Sequence, residues 1–177
     1  MKPIEITILA ILLLGGFGAL FLPNTKALTQ VIHKKELLYE ANKDGRYIST
    51  DEVAQAIIEK DPSYIFIDLR SPKEYAKFTI EGAINIPSDE ILKEKNLDYF
   101  DQEIYTTVLF SNGSSKADLA WTRLRSFDFQ GNRVMKGGLN EWYTTIINPQ
   151  KPKDSESSQA QDLYLFRKGA SYYFTSN

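Results

Sequence analysis

Residues 107–124, TVLFSNGSSKADLAWTRL, pass from a β-branched and aromatic strand through a polar loop into an amphipathic helix. That order constrains the fold more than any other feature. A strand that empties directly into a helix returns by a crossover, so the next strand lies parallel to it. Strand-like segments recur at 47–48, 64–69, 83–86, 106–110 and 132–135, with helical stretches between them. The box Ser49-Thr50-Asp51-Glu52 starts a helix running to Lys60, with Glu52 reaching back from its third position. Residues 70–77 hold a loop and a short helix, and Ser88 caps another. The helix over 114–127 turns Leu119, Ala120, Leu124 and Phe127 inward, and Gly137-Gly138 introduces a helix around Trp142. The pattern predicts an α/β domain with a central parallel sheet flanked by helices on both faces.

The flanks differ from this body. Residues 4–22, IEITILAILLLGGFGALFL, are apolar apart from Glu5 and the hydroxyl of Thr7. A helix of that length spans about 28 Å at 1.5 Å per residue, close to the hydrocarbon thickness of a bilayer. Residues 1–27 therefore read as a single-pass membrane anchor. Bulky Leu22 and Lys26 make Thr25-Lys26-Ala27 a poor cleavage site, which disfavours a removed signal peptide. Lys26, Lys34 and Lys35 after the span point the body inward, whereas the short leader before Ile4 points it outward. The expectation is a soluble body outside the cytoplasm. A cytoplasm-facing body, or a form secreted or periplasmic after cleavage, is the alternative.

Residues 28–45 form a connecting helix, with Leu28, Val31, Ile32, Leu38 and Tyr39 at helical spacing. The domain proper covers 46–147. Residues 148–161, NPQKPKDSESSQAQ, read as a linker. In the tail, 162–177, Asp162 caps a last helix that carries Leu163, Phe166, Ala170 and Phe174 on one stripe. This helix is expected to pack back on its own domain, or otherwise to dock on a partner.

Composition removes several classes of function. The chain has no cysteine, which excludes disulfides, thiolate metal sites and thiol catalysis. Its one histidine, His33, sits beside Lys34 and Lys35, so no histidine-based metal site or catalytic dyad is expected. A net charge of −2 gives no reason to expect a nucleic-acid partner. No cofactor is expected.

The loop after strand 106–110 is where an α/β sheet places its ligands. Ser111 stands at the strand tip. The amides of Asn112, Gly113, Ser114, Ser115 and Lys116 can curl into a nest, reinforced by the helix dipole and the Lys116 ammonium. Local sequence fits an anion-binding loop and a well-built strand-to-helix turn equally.

Several motifs, in order, resemble the rhodanese-like family over residues 46–147. DLRSPKEY, from Asp68, is similar to the family's D-x-R-x-x-x-E-[YF] element, and EGAINIP, from Glu81, to its G-A-x-N-I-P strand. The loop from Ser111 resembles the C-x-x-G-x-R active-site loop in length, and GGLNEW, from Gly137, the closing G-G-x-x-x-W. The resemblance implies a sulfurtransferase fold, and it implies that Ser111 stands where the family carries its persulfide-bearing cysteine. Gly113 comes one position early with Ser114 in its place, Lys116 replaces the arginine, and Phe78-Thr79 replaces a glycine-histidine pair. A serine hydroxyl is far less acidic than a thiol of pKa about 8.5, and it cannot hand on a persulfide sulfur.

No catalytic residue is therefore expected. Asp68, Arg70, Gly137, Gly138 and Trp142 are expected to support the structure, and Asp118 to be a first-turn charge rather than a base. The functional expectation is a catalytically inactive, membrane-tethered rhodanese-like module that binds a protein partner or a small anion. The alternatives are a persulfide-docking role and a serine-based phosphoryl transfer.

Overall fold

Five strands form one sheet in the order β1-β5-β4-β2-β3 in the computed structural model, which describes residues 32–42, 44–101 and 104–176. The strands are β1 (Tyr47–Ile48), β2 (Tyr64–Asp68), β3 (Ile84–Asn85), β4 (Thr106–Phe110) and β5 (Asn132–Met135). Every neighbouring pair runs parallel. β4 is central, with Phe66 opposite Val108 and Leu109 opposite Val134. It is also the most buried strand, as one covered on both faces must be.

Because side chains alternate across a strand, the sheet sends its residues to two cores. Phe66, Val108, Phe110 and Met135 enter one, and Ile67, Leu109 and Val134 the other. The first core is closed by α2 (Thr50–Ile58), α5 (Gly138–Trp142) and the long α6 (Ser158–Thr175). The second is closed by α4 (Ser114–Ser126) and by Ile91 and Phe100 from the segment after β3. A short helix α1 (Lys34–Ala41) precedes β1, and a one-turn helix α3 (Pro72–Tyr75) follows β2. The box at Ser49 and Glu52 forms as the sequence indicates, each side chain bonding the other's backbone N–H.

Four local expectations are corrected. Leu119 is 73% exposed, because the buried stripe of α4 is Ala117, Ala120, Trp121 and Leu124. Small Ala117 and the indole of Trp121 sit at the helical spacing that meets the sheet, and Leu119 lies off it. Ser88 caps no helix: turns follow it, and then a 3-10 helix over Glu94–Tyr99. The last helix starts at Ser158 rather than after Asp162, because the Ser157 hydroxyl accepts the Ala160 amide as its N-cap. In α1, Leu38 and Tyr39 face outward, and Ala41 packs against the second core.

The expected single-pass membrane localisation is also corrected. Among the described residues no helix is long and apolar enough to cross a membrane. Residues 4–22, on which that expectation rested, lie outside the described residues, as do Leu28 and Val31.

Candidate functional site

The strand tips on one side of β4 bring together three segments distant in sequence: 68–79, 111–116 and 137–141. Ser111 directly follows β4, with only 3% of its surface exposed. Gly113 is the N-cap of α4 and provides no side-chain cap, and the first turn of that helix carries no acid. By contrast, α2 and α3 both begin with a serine-glutamate capping box.

The floor of the site is a buried ion pair. Asp68 is fully buried and Arg70 is 6% exposed. The guanidinium grips the carboxylate through Nη2 to Oδ2 at 2.6 Å and Nε to Oδ1 at 3.0 Å. The Arg70 amide and the Thr79 hydroxyl also donate to that carboxylate, each at 2.9 Å. Nη2 further donates to the Phe78 carbonyl. Asn85 ties the backbone carbonyls of Asp68 and Arg70 together through its amide. Nearly every polar valence of the pair is filled, the condition under which buried charges are tolerated.

Asn112 links this floor to the rim. Its Oδ1 accepts from Arg70 Nη1 at 3.4 Å, and its Nδ2 donates to Glu74 Oε1 at 3.1 Å. The Glu74 carboxyl is held down at about 2. The Ser71 hydroxyl contributes most to this, the Asn112 side chain next, and Lys116 adds attraction. Sequence reading did not single out Glu74 or the side chain of Asn112. The S-x-x-E spacing of Ser71 and Glu74 is a legible capping box, but its contact with Asn112, 38 positions away, is not.

The opposite wall is backbone. The amides of Leu139 and Asn140 donate to the carbonyls of Ser111 and Asn112 at 2.8 and 2.9 Å. The Ser114 hydroxyl accepts the Gly137 amide at 2.8 Å. Gly137 and Gly138 both take positive φ, +71° and +59°, which lets α5 lie this close to the loop. Trp142 is 1% exposed and packs in the first core. Ser115 and Lys116 face solvent. Asp118 points away from Ser111 and pairs with Arg46 at 2.7 Å on the β1 side of the molecule. His33, the only histidine in the chain, is the exposed N-cap of α1.

A five-stranded parallel sheet with a tight serine loop at the tip of its central strand defines an α/β domain. The chain belongs to the rhodanese-like domain family, whose model matches residues 49–145. It is similar to the adenylyltransferase and sulfurtransferase UBA4 of Meyerozyma guilliermondii, 27% identical over 95 residues, 49% of this chain and 22% of that protein. A tRNA uridine(34) hydroxylase of Hamiltonella defensa is 29% identical over 118 residues, covering 61% of this chain and 31% of the relative. The crystal structure of the BH2092 protein from Bacillus halodurans shares the fold at a TM-score of 0.50 and 18% identity. That match covers 62% of this chain and 80% of the other. The chain is thus homologous at low identity to sulfurtransferase-related proteins and spans under a third of the length of these two curated relatives.

Proposed function

We propose that this chain is a rhodanese-like module that transfers no sulfur and works by docking a protein partner at the 111–116 loop. One observation carries the reading: the strand tip holds Ser111, in a chain without a single cysteine. Persulfide chemistry needs a sulfur nucleophile that ionises near neutral pH, and an unassisted hydroxyl does not. Ser111 is also almost wholly buried, and no histidine lies in the domain to serve it as a base.

Charge favours a protein partner over a small anion. Arg70 is spent on Asp68, and Lys116 shares the rim with Glu74, which stays ionised at neutral pH. A balanced rim gives a free sulfate or phosphate little net attraction. A partner that brings its own donors and acceptors to exposed Asn112, Ser115 and Lys116 loses nothing to that balance.

The deciding experiment is a thiosulfate:cyanide transfer assay on the protein and on its Ser111→Cys variant. The parent protein should give no turnover. Parent turnover that vanishes in Ser111→Ala would overturn the proposal. A sulfate titration followed by thermal shift separates the anion reading: saturable stabilisation lost in Lys116→Ala would favour a small anion over a protein.

A further inference from the structure

The loop after β4 contains one pair of residues whose chemistry goes beyond docking. Of the chain's asparagines, Asn112 alone precedes a glycine, Gly113. Every other asparagine with a successor precedes a residue that carries a side chain, and Asn148 precedes a proline, which has no N–H. Asparagine is a thermolabile residue: the amide nitrogen of the next residue attacks its side-chain carbon, and a glycine leaves that attack unhindered. The loop leaves the reaction open. Asn112 is exposed to water. The Gly113 amide donates to no acceptor among the described residues, so no hydrogen bond holds its nitrogen back. The Asn112 side-chain amide is held only by long bonds, 3.1 Å to Glu74 and 3.4 Å from Arg70. By contrast, Asn85, Asn96 and Asn132 each donate to a backbone carbonyl, at 2.9, 2.9 and 2.8 Å.

We propose that Asn112 is a deamidation site and that its conversion resets the charge of the loop. The Gly113 nitrogen bonds to Asn112 Cγ, and the Cγ–Nδ2 bond breaks. The side-chain nitrogen leaves as ammonia, taking the proton that the Gly113 amide gives up. The resulting succinimide takes up one water and opens at either carbonyl, leaving aspartate or isoaspartate at the position. Water is the only co-reactant. The product reverses the hydrogen bonding of the rim. A carboxylate donates nothing, so the bond from Asn112 to Glu74 is lost and two carboxylates face each other there. A rim in which Glu74 balances Lys116 thereby gains a negative charge. On the docking reading above, conversion alters the surface that a partner meets, whereas the chemistry at Asn112 does not rest on that reading.

The test is incubation of the folded full chain in mildly alkaline buffer, followed by peptide mapping with mass spectrometry. Conversion at Asn112 should run ahead of conversion at every other asparagine. In Gly113→Ala it should be several-fold slower. That variant keeps the fold, because φ at Gly113 is −133° and an added Cβ meets nothing within 4 Å beyond its chain neighbours. The converted protein, separated by anion exchange, and Asn112→Asp should both show Glu74 titrating higher than in the parent by carboxyl-carbon NMR. Asn112 left intact in the folded protein, after an incubation that converts it in the urea-unfolded chain, would overturn the site. Equal rates in the parent and in Gly113→Ala would also overturn it. A Glu74 midpoint unmoved in Asn112→Asp would overturn the change at the rim. Sulfur transfer by the parent protein would remove the docking reading and leave each of these readouts in place.

Discussion

Gly138 lies so close to Ser111 that a Cβ on it would stand 2.5 Å from the Ser111 carbonyl oxygen. The same Cβ would come within 2.9 Å of the Asn112 carbonyl, and these are backbone atoms held by the amides of Leu139 and Asn140. Gly138→Ala therefore meets both a rigid wall and a positive φ, and should cost about 2–4 kcal/mol in urea unfolding. Gly137→Ala combines a positive φ with a clash of its own, because the Glu141 Cβ, fixed by its helix backbone, would lie 2.3 Å away, so it should also cost about 2–4 kcal/mol. A loss at Gly138 well below this range would show that the close approach to Ser111 is not what matters.

The Asp68–Arg70 pair makes a second, asymmetric prediction. Arg70→Met leaves a fully buried carboxylate without its cation, a loss of about 3–5 kcal/mol for breaking such a pair. Adding Asp68→Asn removes the stranded charge while keeping an acceptor for the Thr79 hydroxyl, so part of the loss returns. A double-mutant cycle by chemical denaturation reads this coupling.

How much of this site could be read in the chain differs from residue to residue. The strand-loop-helix order located Ser111 and predicted parallel pairing, because both follow from local pattern and chain connectivity. The partner of Asp118 could not be read, since Arg46 lies 72 positions earlier and only the β1-β5 pairing brings them together. Leu119 was misplaced for a related reason. Local hydropathy favours leucine over alanine, but the approach angle of the sheet decides which stripe is buried, and Ala117 fits where a larger side chain does not. At Ser88 a capping residue stands before a stretch that stays in turns, with Asn96 donating to the Glu90 carbonyl to hold the following bend.

Glu74 gives the site a pH dependence. Its folded value of about 2 lies below the ordinary value of 4.5, so between these two the unfolded chain binds the proton first. Its contribution to stability is present above pH about 4.5 and is lost as pH falls towards 2. Carboxyl-carbon NMR titration should show the Glu74 midpoint rising most in Ser71→Ala and less in Asn112→Ala, following the order of the two hydrogen bonds. A midpoint unmoved in Asn112→Ala would mean that the rim and the loop are not linked in solution.

The two tryptophans report separately on the two sides of the sheet. Trp121 lies in the second core, its indole donating to the Asn132 carbonyl at 2.9 Å, and Trp142 lies in the first core beneath α6. Besides Ala170 and Phe166, which pack into the first core, three contacts of different kinds hold α6 there. Arg167 makes a two-pronged bond to Asp51 at 2.8 and 2.7 Å, the Ser171 hydroxyl donates to the Ile147 carbonyl at 2.7 Å, and Phe174 meets Trp142 edge-on. The ion pair retains about a quarter of its side-chain exposure, so Arg167→Ala should cost only about 1 kcal/mol. Phe174→Ala removes a half-buried ring from a core contact and should cost more, about 2 kcal/mol. Truncation after Ser157 removes all three contacts and uncovers one indole only. The emission of that protein should shift to the red and become quenchable by iodide in the component lost in Trp142→Phe. The component lost in Trp121→Phe should keep its wavelength and its protection. Equal exposure of both indoles would mean that α6 holds the whole sheet together rather than covering one face of it.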